Sequence, residues 1–99
     1  MRNDKAISII VPTYNAESTI KKCLMSILED KGQDIEVIAL IDGGTDNSLD
    51  ICNEISKIDD RLKVIYQENQ GLFIARKNGI KNSTGKYIMF VDSDDYMIN

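Results

Sequence analysis

The sequence has no histidine and no tryptophan, and its 99 residues include one proline and two cysteines. Cys23 and Cys52 lack Cys-x-x-Cys spacing, and no histidine is present to share a metal with them. Both cysteines fall at apolar positions of predicted helices. We therefore expect two reduced thiols in the core rather than a disulfide or a redox pair.

A basic surface and a long apolar run are also missing. The 12 lysines and arginines are scattered among 16 acidic residues, and the formal net charge of −4 argues against a nucleic-acid-binding protein. No apolar run approaches the roughly 18 residues of a membrane span, and the run after residues 1–5 is too short for a signal peptide. We predict a cytoplasmic protein with one globular domain, residues 1–99.

Four short apolar segments alternate with three segments of helical periodicity. The predicted strands are Ile7–Val11, Ile35–Ile41, Leu62–Tyr66 and Ile88–Val91. The predicted helices contain Ile20–Leu28, Leu49–Ile55 and the residues from Gly71 to about Asn82. This alternation predicts an α/β fold, a Rossmann-like three-layer αβα arrangement with a mainly parallel sheet and helices on both faces. We expect the last strand to be buried on both faces.

Local signals predict where some of these elements begin and end. Pro12 is expected to end the first strand, because proline cannot donate to a central ladder. Asn15 or Ser18 is expected to cap the first helix, and Gly32 to follow its end. Residues 45–48 offer several N-caps for the second helix.

The last predicted strand leads into three acidic residues, Asp92, Asp94 and Asp95. In an extended chain alternate side chains project to the same side, so Asp92 and Asp94 would converge while Ser93 points away. Two carboxylates on one side, with a third acid adjacent, suit a hard divalent cation that keeps its other positions for water and phosphate. The alternative is that Asp92 caps a helix beginning near Asp94, and that the other acids are solvated.

Polar residues also follow the first two strands, in the segments Pro12–Asn15 and Asp42–Gly44. Ligands of parallel sheets bind beyond the carboxyl ends of the strands, so these segments and the acids would meet in one crevice. Asp42 can accept hydrogen bonds from a planar N–H or a ribose hydroxyl, or it can serve to form a turn. Thr13 and Tyr14 can supply a hydroxyl and a stacking ring, although Tyr14 equally fits a role in covering the sheet edge.

Arg76 follows a glycine-bearing loop and can balance phosphate charges that the acids alone would repel. Its alternative role is a surface ion pair with Glu68 or Asp95, which would contribute little stability. The chain has no Gly-x-Gly-x-x-Gly sequence and no Gly-x-x-x-x-Gly-Lys sequence. A dinucleotide site and a P-loop are therefore unsupported.

Together the polar segments resemble family 2 glycosyltransferases of the GT-A fold, specifically their N-terminal, nucleotide-sugar-binding half. The segments that carry the resemblance are Ser8–Asn15, Asp42–Ser48, Asn69–Gly71 with Ala75 and Arg76, and Gly85–Ile88 leading to Asp92–Asp95. They occur in the family's order and spacing and cover nearly the whole chain. The sequence departs from the family at Ile41, Gly44 and Lys77, where aspartate, serine and asparagine are usual.

The resemblance implies transfer of a sugar from a nucleoside diphosphate donor, most often a uridine one, with Mn²⁺ or Mg²⁺ as the cofactor. It implies that Thr13 and Asp42 contact the base and that Arg76 lies close to the base or the diphosphate. Asp92 would face the ribose or the metal, and Asp94 would bind the metal directly. The implied nucleotide-sugar site is Pro12, Thr13, Tyr14, Glu17, Asp42, Arg76 and Asp92, and the implied metal ligands are Asp92 and Asp94.

The resemblance also implies an acceptor half that supplies the catalytic base, and no residue of this chain can be assigned that role. We expect the base to lie beyond Asn99, in a longer enzyme that can associate with the inner face of the membrane. The 99 residues alone would then bind a donor weakly without transferring sugar to the acceptor, which is unknown. An unpaired sheet edge at Ile88–Val91 would favour self-association.

Three other functions fit parts of the pattern. A nucleotidyl-handling enzyme would use the acids to hold Mg²⁺ for phosphoryl chemistry, and a non-catalytic assembly domain would leave them solvated. An aspartyl-phosphate receiver would need acidic residues on its first strand, where this chain has Pro12-Thr13-Tyr14. Measurements of nucleotide and metal binding separate these alternatives.

Overall fold

The computed structural model describes residues 6–29 and 34–95. Strands and helices alternate along the chain as predicted. The strands are β1 (Ile7–Thr13), β2 (Ile35–Asp42), β3 (Leu62–Gln67) and β4 (Tyr87–Phe90). The helices are α1 (Ile20–Leu28), α2 (Ser48–Ile58) and α3 (Leu72–Lys81). In this part of the chain no helix is long and apolar enough to cross a membrane.

The strands form a parallel sheet in the order β3-β2-β1-β4. Helices α1 and α2 cover one face, where their apolar side chains pack with Ile9 and Val11 of β1. Helix α3 covers the opposite face, where Gly79 lies against Ile10. The predicted αβα arrangement with a parallel sheet is confirmed. Because β2 and β3 lie on one side of β1 and β4 lies on the other, the strand order reverses between β1 and β4.

The core between α1 and the sheet follows the predicted helical stripe. The buried residues of α1 are Ile20, Cys23, Leu24, Ile27 and Leu28. Full burial of one such aliphatic side chain stabilises a fold by about 1.5–3 kcal/mol. Strand β2 is buried along its whole length, as expected of a strand that has neighbours on both edges and helices on both faces.

Helix α3 packs on the sheet through small residues. Ala75 and Gly79 are buried, whereas Leu72 is 53% exposed and Phe73 is 77% exposed. A Cβ atom on Gly79 would lie 2.5 Å from Cγ2 of Ile10, so glycine allows a closer approach of helix and sheet than alanine would. The inner face of α3 is therefore formed by Ala75 and Gly79 and not by Leu72.

Pro12 does not end β1, contrary to the prediction. The strand continues to Thr13 and stays paired with β2 along its whole length. The other neighbour, β4, ends at Phe90, which is in register with Ile10. The carbonyl oxygen of Ile10 accepts a hydrogen bond from the N–H of Val91 on the β4 side. Alternation along the strand turns the nitrogen of Pro12 to that same side, where β4 has ended and no ladder bond is lost.

Strand β4 is exposed, although the sequence predicted burial on both faces. The exposed fractions are 70% for Tyr87, 38% for Ile88, 42% for Met89 and 40% for Phe90. The reason is topological, because β4 pairs with β1 along one edge and no strand of the described residues pairs with its other edge. An apolar run alone does not distinguish an edge strand from a central one. The predicted open edge is confirmed, and self-association through it stays a prediction.

The helix starts differ from the predictions in detail. Helix α1 begins after Thr19, beyond both predicted caps, and α2 begins after Asn47, within the predicted segment. Neither preceding residue makes a side-chain capping hydrogen bond. At α2 the carboxylate of Asp46 takes this role and accepts a hydrogen bond from the N–H of Ser48 at 3.0 Å. Gly32, expected to follow α1, lies outside the described residues.

A buried carboxylate lies near the amino ends of the strands, in β2. Glu36 is 2% exposed. Its carboxylate accepts hydrogen bonds from Ser8 Oγ at 2.5 Å and from the backbone N–H and the hydroxyl of Thr84, and it pairs with Lys63 Nζ at 2.8 Å. The N–H of Gly85 donates to Ser8 Oγ at 2.7 Å. These bonds attach the segment that precedes β4 to both β1 and β2.

We predict that Glu36 makes the stability of the chain depend on pH in the acidic range. Burial raises the pKa of Glu36, but the bonds from Lys63, Ser8 and Thr84 outweigh burial and lower the pKa from 4.5 to about 2. Ionised Glu36 therefore stabilises the fold above pH 4.5, and this contribution is lost as the pH falls towards 2. It amounts to about 3 kcal/mol at most. Urea unfolding should show that Glu36→Gln has a smaller free energy of unfolding than the native chain at pH 7. Between pH 4.5 and 2 this free energy should fall less for Glu36→Gln than for the native chain.

The matched control is Glu54→Gln, which changes an exposed glutamate that pairs with Lys57 on α2. This variant should follow the native pH dependence. If Glu36→Gln also follows it, the buried carboxylate does not stabilise the fold in its ionised form.

Candidate functional site

A cavity of about 770 Å³ opens at the carboxyl ends of the strands. It lies where the strand order reverses, between the ends of β1 and β4, with the end of β2 beside them. Its lining consists of residues 12–16, 18 and 19 at and after the end of β1, Asp42 at the end of β2, residues 69, 71, 72 and 75 around the start of α3, and residues 92–94 after β4. The predicted meeting of three polar strand ends in one crevice is confirmed.

Residues 92–95, here called the acid loop, form a turn instead of continuing β4. The carbonyl oxygen of Asp92 accepts a hydrogen bond from the N–H of Asp95 at 3.0 Å. Because the chain turns, Ser93 lines the cavity together with Asp92 and Asp94, contrary to the expectation that it points away. One carboxylate oxygen from each of the three aspartates lies within 4.8 Å of the others, so the predicted convergence is confirmed. A helix capped by Asp92 would extend into residues outside the described ones.

The acid loop has the donor chemistry that a hard divalent cation requires. Its carboxylates are exposed, so water and phosphate oxygens can complete the coordination of an ion held by two of them. The group contains oxygen ligands and neither thiol nor imidazole, which favours Mg²⁺ or Mn²⁺ over softer metals. The residues present therefore fit the cofactor that the resemblance implies.

The two cysteines are buried and free. Cys23 of α1 lies next to the acid loop, where its thiol donates a hydrogen bond to the carbonyl oxygen of Asp92 at 3.5 Å. Burial and the negative charges of Asp95, Asp94 and Asp92 raise the pKa of Cys23 to about 11. Burial and the nearby Cys23 raise the pKa of Cys52 to about 12. Both thiols stay protonated at neutral pH and are therefore poor nucleophiles.

Asp42, the last residue of β2, forms another wall of the cavity and is 5% exposed. Its Oδ1 accepts hydrogen bonds from Gln67 Nε2 and from the N–H of Gln70, both at 2.8 Å, and its Oδ2 accepts one from the N–H of Gly71 at 2.9 Å. Burial raises the pKa of Asp42, but these three bonds outweigh burial and lower the pKa below its ordinary value. Asp42 is therefore a fixed anion that can accept hydrogen bonds from a ligand but cannot donate one.

The side chain of Gln67 is held in turn by Asn78 of α3. Asn78 Nδ2 donates to Gln67 Oε1 at 2.6 Å, while the amide nitrogen of Gln67 donates to Asp42. Gln67 ends β3 in register with Asp42, so the pairing of β2 with β3 brings the two side chains together. A hydrogen-bonded chain thus runs from α3 through β3 to the cavity wall.

The loop after β1 and the loop after β2 are locked together at the rim of the cavity. Asn15 has a left-handed backbone with φ of 48°, and its Oδ1 accepts a hydrogen bond from the N–H of Thr45 at 2.8 Å. A Cβ atom on Gly44 would lie 2.5 Å from that oxygen. Ser48 Oγ accepts a further hydrogen bond from the N–H of Ala16 at 2.8 Å. We infer that the two loops form one rigid unit.

Glu17 takes part in this loop contact and does not line the cavity. Its Oε1 accepts a hydrogen bond from the N–H of Asn47 at 2.9 Å, and its own N–H donates to Asp46 Oδ2 at 2.9 Å. The carboxylate is thus engaged at the start of α2. Its contact with a nucleotide sugar stays a prediction, and the structure offers an alternative role for it.

Arg76 lies on the exposed side of α3, also outside the cavity lining. Its Cζ is 5.4 Å from the centroid of the Phe90 ring, which is a cation–π distance. Within residues 6–29 and 34–95 it forms no ion pair with Glu68 or Asp95, the partners considered from the sequence. The guanidinium therefore stacks on the strand that leads into the acid loop.

The predicted site residues fall into two groups in the structure. Those around the cavity are Pro12, Thr13, Tyr14, Asp42, Asp92 and Asp94, and Glu17 and Arg76 lie outside its lining. Asn69 and Leu72 also line the cavity. The sequence did not indicate this, because their position depends on how the loop before α3 folds over the sheet. The sequence signal for that loop is Gly71, whose φ of 96° favours glycine.

Comparison with known proteins agrees with this fold. Residues 8–98 match the family described as glycosyl transferase family 2, and the chain belongs to that family. It is 47% identical over 94 residues to the glycosyltransferase GlyA of Streptococcus pneumoniae serotype 4, in a match that covers 95% of this chain and 14% of GlyA. The family consists of glycosyltransferases, and this relative is a glycosyltransferase as well.

Two solved structures show the same GT-A fold. S. aureus TarS 1-349 in complex with UDP-GlcNAc has a TM-score of 0.83 and 36% identity, and the match covers 92% of this chain and 27% of the TarS 1-349 chain. The mannosyltransferase PcManGT from Pyrobaculum calidifontis, in complex with GDP-Man and Mn²⁺, has a TM-score of 0.88 over 97% of this chain and 29% of that one. Its identity of 22% shows the fold alone. The chain thus spans less than a third of the length of each of these three proteins.

We predict that Asn15 stabilises the locked loops in two ways. Asn15→Ala should destabilise the chain by about 1–3 kcal/mol, because alanine disfavours the left-handed backbone and cannot accept the hydrogen bond from Thr45. Asn15→Gly should cost less, since glycine tolerates that backbone and only the hydrogen bond is lost. Urea unfolding of both variants measures the difference. An equal loss, or a larger loss with glycine, would contradict the role of backbone conformation.

Proposed function

We propose that this chain binds a nucleoside-diphosphate sugar, with a uridine donor favoured, as the donor-binding part of a glycosyltransferase. The observation that carries the proposal is the arrangement of the cavity, which has the fixed acceptor Asp42 on one wall and the acid loop on another. A base that presents N–H groups fits the first wall, and a metal-bound diphosphate fits the second. The 36% identical TarS was solved with UDP-GlcNAc, which supports a uridine donor.

The proposed base-binding wall presents hydrogen-bond acceptors. Thr13 is 1% exposed, and its hydroxyl donates to the carbonyl oxygen of Val11 at 2.9 Å, so the Thr13 oxygen can only accept from a ligand. Asp42 accepts as well. Tyr14, which is 54% exposed and lines the cavity, offers a ring for stacking on a base. Uracil and guanine present a ring N–H to such acceptors, whereas cytosine presents an acceptor at the corresponding position.

The proposed diphosphate side requires a cation. The acid loop and a diphosphate are both anionic, so they would repel each other at close range. We propose that Asp92 and Asp94 hold Mn²⁺ or Mg²⁺, with Asp92 also available to the ribose. Held by these carboxylates, the ion would supply positive charge that stabilises the developing negative charge of the diphosphate leaving group. Arg76 would add positive charge by moving from the Phe90 ring towards the phosphates.

The described residues supply donor binding, and we assign none of them as the base that takes the proton of the acceptor. In the described cavity, the carboxylate of Asp42 is assigned to the nucleobase and those of the acid loop to the metal. The chain contains no histidine that could act as the catalytic base. We therefore expect the 99 residues to bind a donor without transferring its sugar. Transfer to an acceptor, the cytoplasmic location and any association with the membrane are proposals for a longer enzyme.

We predict selective, metal-dependent nucleotide binding by the native chain. In calorimetric titrations UDP should bind at least about tenfold more tightly than CDP, because cytosine would turn its N3 acceptor towards the acceptor oxygens of Thr13 and Asp42, where uracil presents an N–H. Removing Mn²⁺ with a chelator should weaken UDP binding by about tenfold or more. Asp94→Asn should abolish the effect of Mn²⁺, and Asp42→Asn should weaken binding with and without the metal.

Asp50→Asn is the matched control, because Asp50 is an exposed acid in the first turn of α2. It should leave UDP binding unchanged. Metal-independent binding that Asp94→Asn does not affect would overturn the proposed diphosphate side. Preference for nucleoside triphosphates would favour a nucleotidyl-handling enzyme, and a folded chain that binds neither nucleotide nor metal would favour an assembly domain.

A further inference from the structure

Two side chains that do not line the cavity are connected to its wall by hydrogen bonds. Asn78 Nδ2 donates to Gln67 Oε1 at 2.6 Å, and Gln67 Nε2 donates to Asp42 Oδ1 at 2.8 Å. Gln67 is 9% exposed, so its amide has little access to water. The Asp42 carboxylate also accepts hydrogen bonds from the N–H groups of Gln70 and Gly71. The loop before α3 is therefore attached to the same carboxylate.

The direction of this chain of hydrogen bonds is determined by the chemistry of its ends. An ionised carboxylate only accepts, so Gln67 must turn its NH₂ group towards Asp42 and its carbonyl oxygen away from it. That carbonyl oxygen then requires a donor, and Asn78 supplies one. Asp42 and Asn78 therefore favour the same orientation of the Gln67 amide, with its NH₂ group towards Asp42. A hydrogen-bond acceptor at residue 78 would favour the flipped amide, with the NH₂ group towards residue 78.

The backbone of α3 fixes the position of Asn78. The neighbouring Gly79 is in close contact with Ile10 in the central part of the sheet, where even a Cβ atom would lie 2.5 Å from Cγ2 of Ile10. The helix is therefore packed closely on the sheet, and this packing places Asn78 within hydrogen-bond distance of Gln67 at the end of β3. The donor is presented by a rigid element, not by a flexible loop.

We propose that Asn78 and Gln67 are positioning residues that orient the Asp42 carboxylate and the loop at Gln70 and Gly71 for ligand recognition. The orientation of Asp42 for ligand recognition rests on the proposed nucleotide-sugar function. The ordering of the loop at Gln70 and Gly71 is independent of that function. Asn78 and Gln67 act through Asp42 and contact no ligand themselves.

The variant that tests the proposal is Asn78→Asp, compared with Asn78→Ala. Aspartate has nearly the same shape as asparagine but accepts hydrogen bonds where asparagine donates. Gln67 should then turn its NH₂ group towards residue 78 and its carbonyl oxygen towards Asp42, where the two oxygens repel each other. Alanine removes the donor without reversing Gln67. If residue 78 merely filled space, alanine would be the more damaging substitution.

The first measurement is hydrogen exchange of the backbone amides by NMR, without any nucleotide. Asn78→Asp should speed exchange at Gln70 and Gly71 by about tenfold or more relative to the native chain, and Asn78→Ala should speed it less. The amides of β1 and β2 should exchange at native rates in both variants. Asn53→Asp, the same chemical change on the exposed surface of α2, should alter neither group.

The second measurement is the affinity for UDP with Mn²⁺, where Asn78→Asp should weaken binding by about tenfold and Asn78→Ala by less. The proposal would be overturned if Asn78→Asp speeds exchange at Gln70 and Gly71 no more than Asn78→Ala does. If the native chain does not bind UDP, the proposed function fails, and the exchange rates still decide whether the two side chains position the loop. Altered exchange with unchanged UDP affinity would refute the part that concerns ligand recognition.

Discussion

The position of the acid loop depends on one buried carboxylate. Strand β4 has four residues, one paired neighbour and partly exposed side chains, so burial stabilises it less than it stabilises β2. Glu36 supplies the missing attachment by accepting hydrogen bonds from Ser8 on β1 and from Thr84 before β4. This attachment supports the observed register of β4 with β1, and a slip by one residue would turn every side chain of β4 to the other face. Hydrogen bonds at the amino end of β4 therefore help to place the acid loop, which also accepts a hydrogen bond from Cys23 at the other end of the strand.

The carboxylates of Glu36, Asp42 and the acid loop differ in how many hydrogen-bond donors and cations the fold places around them. Glu36 is paired with a lysine and with several donors, and it is closed off from solvent. Asp42 has three protein donors but still borders the cavity. The side chains of the acid loop are exposed, and their mutual repulsion is offset by no ion pair in the described part of the chain. Affinity for a cation arises from charge that the fold has left unbalanced, so the least satisfied carboxylates are the ones available for binding.

The sequence predicted what depends on local periodicity, and it failed where contacts between distant segments decide. The apolar stripe of α1 was predicted correctly because the helical period can be read within nine neighbouring residues. The burial of β4 was wrong because an apolar run does not say which strands lie beside it. The strand ends were correctly expected to meet, since a parallel sheet brings carboxyl ends to one edge.

The partners of individual polar side chains could not be predicted. The sequence did not indicate that Glu17 accepts a hydrogen bond from the N–H of Asn47. Asn15 was expected to cap α1, but its side chain accepts a hydrogen bond from the N–H of Thr45 in the next loop. Each of these bonds joins residues 30 positions apart. Such pairs carry no periodic signal, and a single sequence contains no record of them. Resemblance to a family supplied the types of residue at the site but not these contacts.

The sheet topology has a consequence for the order in which the molecule folds. Ser8 meets Glu36 of β2 across a separation of 28 residues, but it meets Gly85, just before β4, across a separation of 77. Closing the longer loop costs about 1 kcal/mol more chain entropy if it is closed independently. Most of that cost disappears once β1, β2 and β3 with their helices have shortened the effective path. We therefore expect β4 to join a preformed three-stranded sheet. The acid loop would then take its place in the cavity in the last step of folding.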